Sequence, residues 1–455
     1  MKHNALLALR SSLIVFVFVA VIHFISGFAA PEGESWPVPI GYRFQSDSMW
    51  FVPVAASILN EGDVDLDEFA GWIAFQDNYG VREHDGHFYN VYPLGPSLFA
   101  LPFVLPVDLA ARAMGTTVTG LIQSRWGVTI MIEAFAASVL VAACAVLLYR
   151  IARRRLTVPG ALTLVFVFAF CTSAWSTASR VLWQHGPTML VLLIALFVLD
   201  STRVGRRGAL VVGIAIGLSY VIRPTNAIAV ILFTLYILAR HRDVALSYIL
   251  GGLSVGIPFV IHNLTVHGGI VSPYSASFRW SMSIFEAMFG NLISPGRGLF
   301  LFTPVLLLGV VSAVYKAATR RARWIDILLL TNVGLHWIVI SAWAIWWAGD
   351  SFGPRFFTGM LPFLCYFLID PLAAVFDPAH HARRRALVAG VTVLIAASFF
   401  IHLRGTLSLE TWRWNDRLKF TLWTWDFDEH SDEYRETVDH LWDWSRIQFL
   451  YNGDD

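Results

Sequence analysis

Charged residues are scarce in this 455-residue chain: Asp, Glu, Lys and Arg together make up 14%, against about 25% in an average soluble protein. Positive and negative charges nearly cancel, and no basic stripe with interleaved aromatic residues occurs, so we expect no nucleic-acid partner. Cysteine is also rare. The cysteines lie in apolar runs without zinc-ligand spacing, which predicts buried free thiols; they are Cys144, Cys171 and Cys365.

Repeats and nucleotide-binding motifs are absent as well. The chain has no internal repeat, no low-complexity linker and no glycine-rich loop of the kind that cradles a nucleotide. Apolar sequence is abundant instead: 56% of the residues are hydrophobic and the mean hydropathy is +0.60. Because apolar runs of about 20 residues cross a bilayer as helices, the sequence predicts an all-α polytopic membrane protein.

Clusters of lysine and arginine mark the cytoplasmic ends of the predicted spans. They alternate with the apolar runs to give about eleven transmembrane helices, with the N-terminus cytoplasmic and the C-terminus extracytoplasmic. Residues 11–30 are expected to be an uncleaved anchor, and a cleaved signal peptide is the alternative. The spans lie near 11–30, 126–150, 157–178, 181–200, 208–222, 224–240, 244–262, 299–317, 325–345, 356–376 and 385–403.

This topology gives a transmembrane domain over 1–403 and a short external, tryptophan-rich segment over 404–455. The external loops are 31–125, expected to hold amphipathic and juxtamembrane helices, and 263–298. Residues 93–111 are apolar enough to cross, but a crossing would break the charge pattern and the four prolines disfavour a straight helix. We therefore expect an interfacial or re-entrant helix there. Tryptophans of the C-terminal segment could rest on the bilayer or cover an acceptor entrance; they are Trp412, Trp414, Trp423 and Trp425.

The first external loop carries carboxylates that could act at the water boundary. Asp47 precedes a run that predicts a short amphipathic helix over 50–59. It could be the N-cap of that helix or a general base that removes a proton from an acceptor hydroxyl. Asp85 is a second acidic candidate for the site.

The same loop holds a weak metal signal. The acidic run 61–68 lacks the glycine and terminal glutamate of a calcium-binding hand, which favours a solvated loop. His84 and His87 flank Asp85, but two histidines three residues apart are weak support for a metal. We expect no metal at this loop.

Several basic side chains lie at the outer ends of predicted spans, against the positive-inside trend. Arg180 and His185 flank Trp183, and Arg223 lies at the next outer turn. Cations at such positions usually face a cavity. Pairing with an anionic lipid head and pairing with a loop carboxylate are both open.

Two further arginines lie in glycine-containing turns. Arg297 and Arg355 could bind a phosphate through the planar fork of the guanidinium, and a plain structural turn is the alternative. Trp346 and Trp347 share one helix face with Trp343. They could form an interface belt or stack on sugars or prenyl chains.

Other polar residues are isolated in apolar surroundings. Glu133, His262 and His336 are expected to make helix-packing hydrogen bonds. The segment 92–96, Tyr-Pro-Leu-Gly-Pro, predicts a rigid turn against the membrane boundary.

Together these segments resemble the GT-C class of integral-membrane glycosyltransferases, which use polyprenyl- or dolichyl-phosphate-linked sugars. The chain is most similar to bacterial and archaeal members near the protein O-mannosyltransferases and the lipid A aminoarabinose transferases. The matching residues and segments are Asp47, 85–89, 92–96, 183–187, 223–226, 294–298 and 346–355.

The resemblance implies an outward-facing site with Asp47 as the base and Asp85 as a second acidic residue. The residues it implies for the donor phosphate are Arg355, Arg297, His185, Arg180 and Arg223. Those it implies for the sugar or prenyl chain are Trp346, Trp347, Tyr92 and Tyr89. There are two departures. The aminoarabinose transferases have Tyr-Glu-Lys-Pro-Pro where this chain has Tyr-Pro-Leu-Gly-Pro at 92–96. This chain therefore lacks the lysine of that motif. The mannosyltransferases pair Asp with Glu, whereas Ser48 follows Asp47 in this chain.

We therefore expect a glycosyltransferase of the cell (inner or plasma) membrane, surrounded by membrane lipids. It would move a hexosyl or pentosyl group, with inversion, from a polyprenyl-phosphate donor to an unknown glycan, lipid or protein acceptor on the outer side. No cofactor is expected, although a divalent metal could take part. The alternatives are a lipid or glycan transporter or flippase, which would carry charges along a mid-span pathway, and a non-catalytic membrane assembly protein.

Overall fold

The computed structural model describes residues 2–29, 38–39, 45–201, 203–276, 279–281, 283–376, 381–419 and 429–453. Helices make up 72% of the structure. Its strands form two short antiparallel pairs, β1 (Phe28–Ala29) with β2 (Val38–Pro39) and β3 (Val81–His84) with β4 (His87–Asn90). The prediction of an all-α polytopic membrane protein is confirmed.

The helices are numbered in chain order. The first ten are α1 (Lys2–Ile25), α2 (Phe51–Asn60), α3 (Ala70–Phe75), α4 (Gly95–Ala113), α5 (Val118–Ser124), α6 (Gly127–Ala152), α7 (Val158–Phe170), α8 (His185–Leu199), α9 (Arg206–Ile222) and α10 (Ala227–Arg240). The others are α11 (Ala245–His267), α12 (Pro273–Ala276), α13 (Ile284–Ile293), α14 (Leu299–Phe302), α15 (Val305–Ala318), α16 (Trp324–Ser341), α17 (Leu361–Tyr366), α18 (Ile369–Phe376), α19 (His381–Leu407), α20 (Glu410–Arg413) and α21 (Asp432–Leu441).

The predicted number of eleven spans is not confirmed. Within the described residues, five helical segments are long and apolar enough to cross a membrane. A sixth crossing results if Arg355–Tyr366 and Ile369–Phe376, bent by 42°, form one span. Other apolar helices have 10–17 residues, fewer than the roughly 20 that a straight crossing needs. The five segments are Gly95–Ala113, Gly127–Ala152, Arg242–His267, Trp324–Ser341 and Arg385–Leu407.

The segment expected in the interface, 93–111, forms most of α4. This helix continues through Pro102 and Pro106, and by length and composition it can cross. Prolines are tolerated in membrane helices where other groups satisfy the freed backbone carbonyls. The proline content is therefore no argument against a crossing.

The contacts between residues divide the chain into two compact units. Unit 1 comprises Met1–Val19, Ala142–Thr177 and Arg279–Asp455. Unit 2 comprises Ala20–Val141 and Ala178–Phe278. The C-terminal segment 404–455 therefore belongs to unit 1.

In unit 2, hydrogen bonds fasten helices α2 and α5 to α4. The predicted helix over 50–59 is α2, and its last residue, Asn60, donates to the buried Asp108 of α4 at 3.0 Å. Asp108 also accepts the Val118 amide at the start of α5, at 3.0 Å, and the Arg112 guanidinium, at 2.6 Å. A buried carboxylate needs such partners, so Asp108 fixes α2 and α5 on α4.

In unit 1, the C-terminal segment packs around aromatic side chains. Trp346, Trp347, Trp414, Tyr434 and Leu441 belong to one buried cluster. Trp412 is also buried. Trp412 and Trp414 are thus core residues of unit 1. Trp423 and Trp425 lie outside the described residues.

A close helix crossing in unit 2 gives the first prediction. A Cβ on Gly213 of α9 would lie 2.0 Å from the Tyr248 carbonyl oxygen of α11. Small residues allow membrane helices to approach this closely. Gly213→Ala should therefore lower the free energy of unfolding by about 1–3 kcal/mol, which thermal unfolding in detergent measures as a lower midpoint.

Gly256 of α11 is the matched control, because a Cβ there meets no atom within 4 Å. Gly256→Ala should leave the midpoint unchanged or raise it slightly, since alanine favours a helix over glycine. Equal midpoints for the two variants would contradict the tight crossing.

Candidate functional site

Asp47 lies in the turn before α2, half-buried in unit 2. Two phenols donate to the same carboxylate oxygen: Tyr92 at 3.1 Å and Tyr79 at 3.3 Å from Oδ1. The two phenol oxygens lie 3.0 Å apart. Helix α2 begins at Phe51 with Trp50 in the N-cap position, so the alternative of Asp47 as the N-cap is not realised.

The Tyr92 phenol is suited to this role because it stays protonated. Burial, followed by the negative charge of Asp47, raises the pKa of Tyr92 well above its usual range. Its ring packs against Phe51 and Tyr274. The structure therefore places Tyr92, predicted to contact the sugar or prenyl chain, against the candidate base.

The loop that carries Asp47 is anchored by the buried Glu133 of α6. Gln45, two residues before Asp47, donates to Glu133 at 2.6 Å and accepts the Trp126 indole N–H at 2.9 Å. The second carboxylate oxygen of Glu133 accepts the Leu182 amide at 3.2 Å. Glu133 thus connects the Asp47 loop with the loop that leads to His185.

His185 and Arg223 form a buried pair, each 3% exposed. The Arg223 guanidinium lies 2.9 Å from His185 Nδ1. Since a guanidinium can only donate, Nδ1 must accept, and the proton of a neutral His185 is then on Nε2. The pair lies in unit 2, as does Asp47.

Gly95 brings the turn at 92–96 against the end of α9. A Cβ on Gly95 would lie 2.7 Å from the Ile222 backbone, so only glycine fits. Ile222 directly precedes Arg223. The segment that contains Tyr92 therefore packs against the C-terminal end of α9, next to Arg223.

Arg180 has a different environment in unit 2. Its guanidinium donates to the Ser26 carbonyl and, at 2.9 Å, to the Ser26 hydroxyl, just beyond the end of α1. It also donates to Ser179 at 3.2 Å. These bonds hold the end of the first helix, where a cation is favourable.

Asp85 lies at the tip of the β3–β4 hairpin. Its φ is +51°, and together with Gly86 it forms the two-residue turn, for which Asp-Gly is a strong sequence signal. Its side chain is 87% exposed and lies 3.7 Å from His84. This is the environment of a turn residue. Tyr89 is on β4, paired with Arg82.

Three side chains near the hairpin could hold a metal: Asp65, Asp67 and His87, whose ligand atoms lie within 4.8 Å of one another. His87 Nδ1 is 2.6 Å from Asp67 and 3.8 Å from Asp65. The hydrogen bond to Asp67 raises the pKa of His87. Carboxylate and imidazole ligands would suit zinc or another first-row metal.

Arg297 of unit 1 is 1% exposed, and all five of its N–H donors have acceptors within the protein. In this conformation the guanidinium has no donor left for a phosphate. Burial lowers its pKa to about 9, so it keeps its charge at neutral pH. The acceptors are the Trp347 carbonyl (2.8 Å), the Gly296 carbonyl (2.8 Å), Gln448 Oε1 (3.1 Å), the Gly349 carbonyl (2.9 Å) and Asn415 Oδ1 (2.8 Å).

Gln448, which accepts a hydrogen bond from Arg297, makes further hydrogen bonds to the loop before Arg355. Its Oε1 also accepts the Gly353 amide at 2.9 Å, and its amide group donates to the Ser351 carbonyl at 2.8 Å. Arg297 and Gln448 therefore hold the loop that precedes Arg355. No signal in the sequence paired these two residues, which are 151 positions apart.

Arg355 follows this loop and is buried, 8% exposed, with one guanidinium nitrogen 3.3 Å from the Ala348 carbonyl. Trp346 and Trp347 are each 1% exposed. In this conformation neither indole presents a face to a sugar or a prenyl chain. The two indoles act as packing for unit 1.

The fold is similar to that of a solved oligosaccharyltransferase from Archaeoglobus fulgidus, determined in the apo form. The TM-score is 0.51 at 12% sequence identity, and the match covers 94% of this chain and 60% of that one. The chain thus spans about three fifths of the length of that protein. At this identity the likeness shows the fold alone: the chain has the fold of a membrane glycosyltransferase, which confirms the GT-C resemblance at that level. No family model and no curated protein matches the chain.

The saturated environment of Arg297 predicts a structural role. Arg297→Lys keeps the charge but removes the five-donor fork, leaving buried acceptors without partners. The free energy of unfolding should fall by about 1–3 kcal/mol, measured by thermal unfolding in detergent. The exposed Arg321 is the matched control, and Arg321→Lys should have no effect. A wild-type midpoint for Arg297→Lys would contradict the structural role.

Proposed function

We propose that the protein is an inverting membrane glycosyltransferase. It moves a sugar from a polyprenyl-phosphate donor to a hydroxyl acceptor on the extracytoplasmic side. The observation that carries this proposal is the pairing of Asp47 with two phenol donors in the same unit as the buried His185–Arg223 pair. The glycosyltransferase fold supports it.

In the proposed reaction, Asp47 is the general base. Two hydrogen bonds to Oδ1 fix the direction of the carboxylate, and such positioning is worth orders of magnitude in rate. Asp47 takes the proton of the acceptor hydroxyl as that oxygen attacks the anomeric carbon. The bond from this carbon to the phosphate oxygen breaks on the opposite face, which inverts the configuration.

Arg223 and His185 would stabilise the departing phosphate. The electron pair of the broken bond goes to the phosphate, and donors that already point at that charge lower the barrier. An arginine fork suits a phosphate, and burial strengthens the attraction because screening by water is weak. Arg355 of unit 1 stays a predicted ligand of the donor phosphate. No step of this scheme uses a metal, and Asp65, Asp67 and His87 are the residues that would hold one.

The base assignment is tested on sugar transfer from a polyprenyl-phosphate donor. Asp47→Asn keeps the shape of the side chain and removes its basicity. The turnover number should fall by about 100-fold or more, because general-base catalysis contributes roughly 10²–10⁴. Transfer of radiolabelled sugar by purified protein in detergent measures this.

Asp85→Asn is the comparison, since its exposed turn position predicts turnover within about twofold of wild type. Full turnover in Asp47→Asn would remove the assigned base. A large loss in Asp85→Asn alone would transfer the role to the hairpin.

The phosphate assignment predicts a selective effect on the donor. Arg223→Lys loses the fork, and the KM for the donor should rise by roughly 10- to 100-fold, the equivalent of one charge-assisted hydrogen bond. Arg206→Lys, at the exposed start of the same helix α9, is the matched control and should leave KM unchanged. An unchanged donor KM in Arg223→Lys would refute the assignment.

A further inference from the structure

Two connections between helices meet at one tyrosine of unit 1. Arg155, in the α6–α7 connection, donates to the Tyr366 hydroxyl at 2.8 Å, and its guanidinium lies 4.9 Å from the centre of the Tyr366 ring. Arg323, in the α15–α16 connection, donates to the same hydroxyl, and its guanidinium lies 5.9 Å from the ring centre. Tyr366 is the last residue of α17. The two connections therefore lie together at the end of α17.

Basic side chains dominate this end of unit 1. The segments 150–157, 316–326 and 366–370 contain two carboxylates, Asp326 and Asp370. Lys316 donates to both of them, at 3.0 and 2.7 Å, and Arg323 donates to Asp326 at 3.0 Å. Lys316 and Arg323 thus match the two carboxylates, and the remaining charge is positive. We call the exposed arginines of these segments the basic surface; they are Arg150, Arg153, Arg154, Arg320 and Arg321.

The turn after α15 presents two of these arginines to the outside. Arg320 has a φ of +57°, in the left-handed region where glycine or asparagine is usual. The Arg321 amide closes the turn on the Lys316 carbonyl at 2.8 Å. No described residue accepts a hydrogen bond from either guanidinium. A topology signal needs positive charge alone, so it does not explain an arginine in this conformation.

The surroundings of the basic surface are those of a bilayer boundary. Arg153 directly follows the candidate span Gly127–Ala152, and Arg323 directly precedes the candidate span Trp324–Ser341. Trp324 is 61% exposed and Tyr315 is 57% exposed. Exposed tryptophan and tyrosine are enriched at the depth of the lipid headgroups. The basic surface is therefore in reach of headgroup phosphates.

An apolar face of α15 adjoins the basic surface. Leu307, Val311 and Val314 are about half exposed, and their spacing of four and three residues puts them on one side of the helix. A phosphate ion would contact the arginines alone. A phospholipid fits both features, because the guanidinium fork suits its phosphate and its acyl chains suit the apolar face.

We propose that the basic surface binds the headgroup of an anionic phospholipid whose acyl chains lie along the exposed face of α15. Clusters of arginine next to a membrane helix favour anionic over zwitterionic lipids, because a zwitterionic headgroup carries its own cation. The topology predicted from the sequence puts this end of unit 1 on the cytoplasmic side. The lipid then belongs to the inner leaflet, and its binding is independent of the proposed reaction.

Binding is measured on the full-length protein in a neutral detergent. Mass spectrometry of the intact protein detects bound lipid as an adduct, and a titration gives the affinity. The probes are phosphatidylglycerol, phosphatidylcholine with the same acyl chains, and glycerol 3-phosphate, which has a phosphate but no acyl chain. The test variant is Arg320→Gln with Arg321→Gln. The matched control is Arg206→Gln with Arg207→Gln, which removes the same charge from an exposed pair at the start of α9 in unit 2.

We expect phosphatidylglycerol to bind at least about tenfold more tightly than phosphatidylcholine. Its affinity should fall by roughly 10- to 30-fold in the test variant, because each basic residue near a headgroup contributes about a factor of five. The control should change it by less than about twofold. Equal losses in the two double variants would overturn the proposal, as would equal affinities for the two lipids.

A second pair of variants tests the acyl chains and leaves the arginines in place. Val311→Asn should lower the affinity for phosphatidylglycerol about threefold, since it removes apolar contact. Leu253→Asn, similarly exposed on α11 of unit 2, is its control and should have no effect. Unchanged affinity in Val311→Asn, or glycerol 3-phosphate binding as tightly as phosphatidylglycerol, would refute a lipid as the ligand. Thermal unfolding without added lipid should give the same midpoint in wild type and in the arginine variants, because the substituted side chains are exposed.

Discussion

The geometry of the candidate site depends on one buried carboxylate. Glu133 accepts hydrogen bonds from Gln45 and from the Leu182 amide. One bond fixes the approach to Asp47 and the other fixes the approach to His185. A buried carboxylate without partners is strongly unfavourable. Breaking either hydrogen bond of Glu133 would therefore be costly, and both loops stay in place. The candidate base and the proposed phosphate ligand therefore share one anchor, which maintains their mutual geometry.

Buried arginines in this chain take two different roles. Arg297 has every donor matched by an oxygen of unit 1, and it organises a loop. Arg223 donates to the His185 ring nitrogen Nδ1. Removing one partner of a buried arginine lowers the free energy of unfolding more than replacing the whole set of polar groups by apolar ones, because it leaves a buried polar group unpaired. The two arginines look alike in the sequence because each lies at a turn, and only their acceptors distinguish them.

The sequence was sufficient for the membrane class and for helix α2, because apolar runs and local patterns carry that information. The choice of Asp47 as the base stays a prediction. The sequence was not sufficient for the partners of Asp47. Tyr79 and Tyr92 are 32 and 45 positions away, and no local pattern marks a phenol that donates across that separation. Asp85 was a different case: the Asp-Gly pair, flanked by strand-forming residues, is a local hairpin signal, and weighing it would have favoured a turn. The prediction that Trp346 and Trp347 share a helix face with Trp343 is wrong, because α16 ends at Ser341 and the three tryptophans follow it in a bridge and turns. The sequence could not show that Trp346 and Trp347 pack against the C-terminal segment.

The hydrogen bond from Arg297 to Gln448 can form only late in the synthesis of the chain. The ribosome adds 151 residues after Arg297 before the side chain of Gln448 exists, which takes roughly 8–30 s at about 5–20 residues per second. During that interval the charged guanidinium and the loop before Arg355 have only part of their final contacts. The loop before Arg355 can therefore reach its final set of contacts only after the C-terminal segment that carries Gln448 has been synthesised.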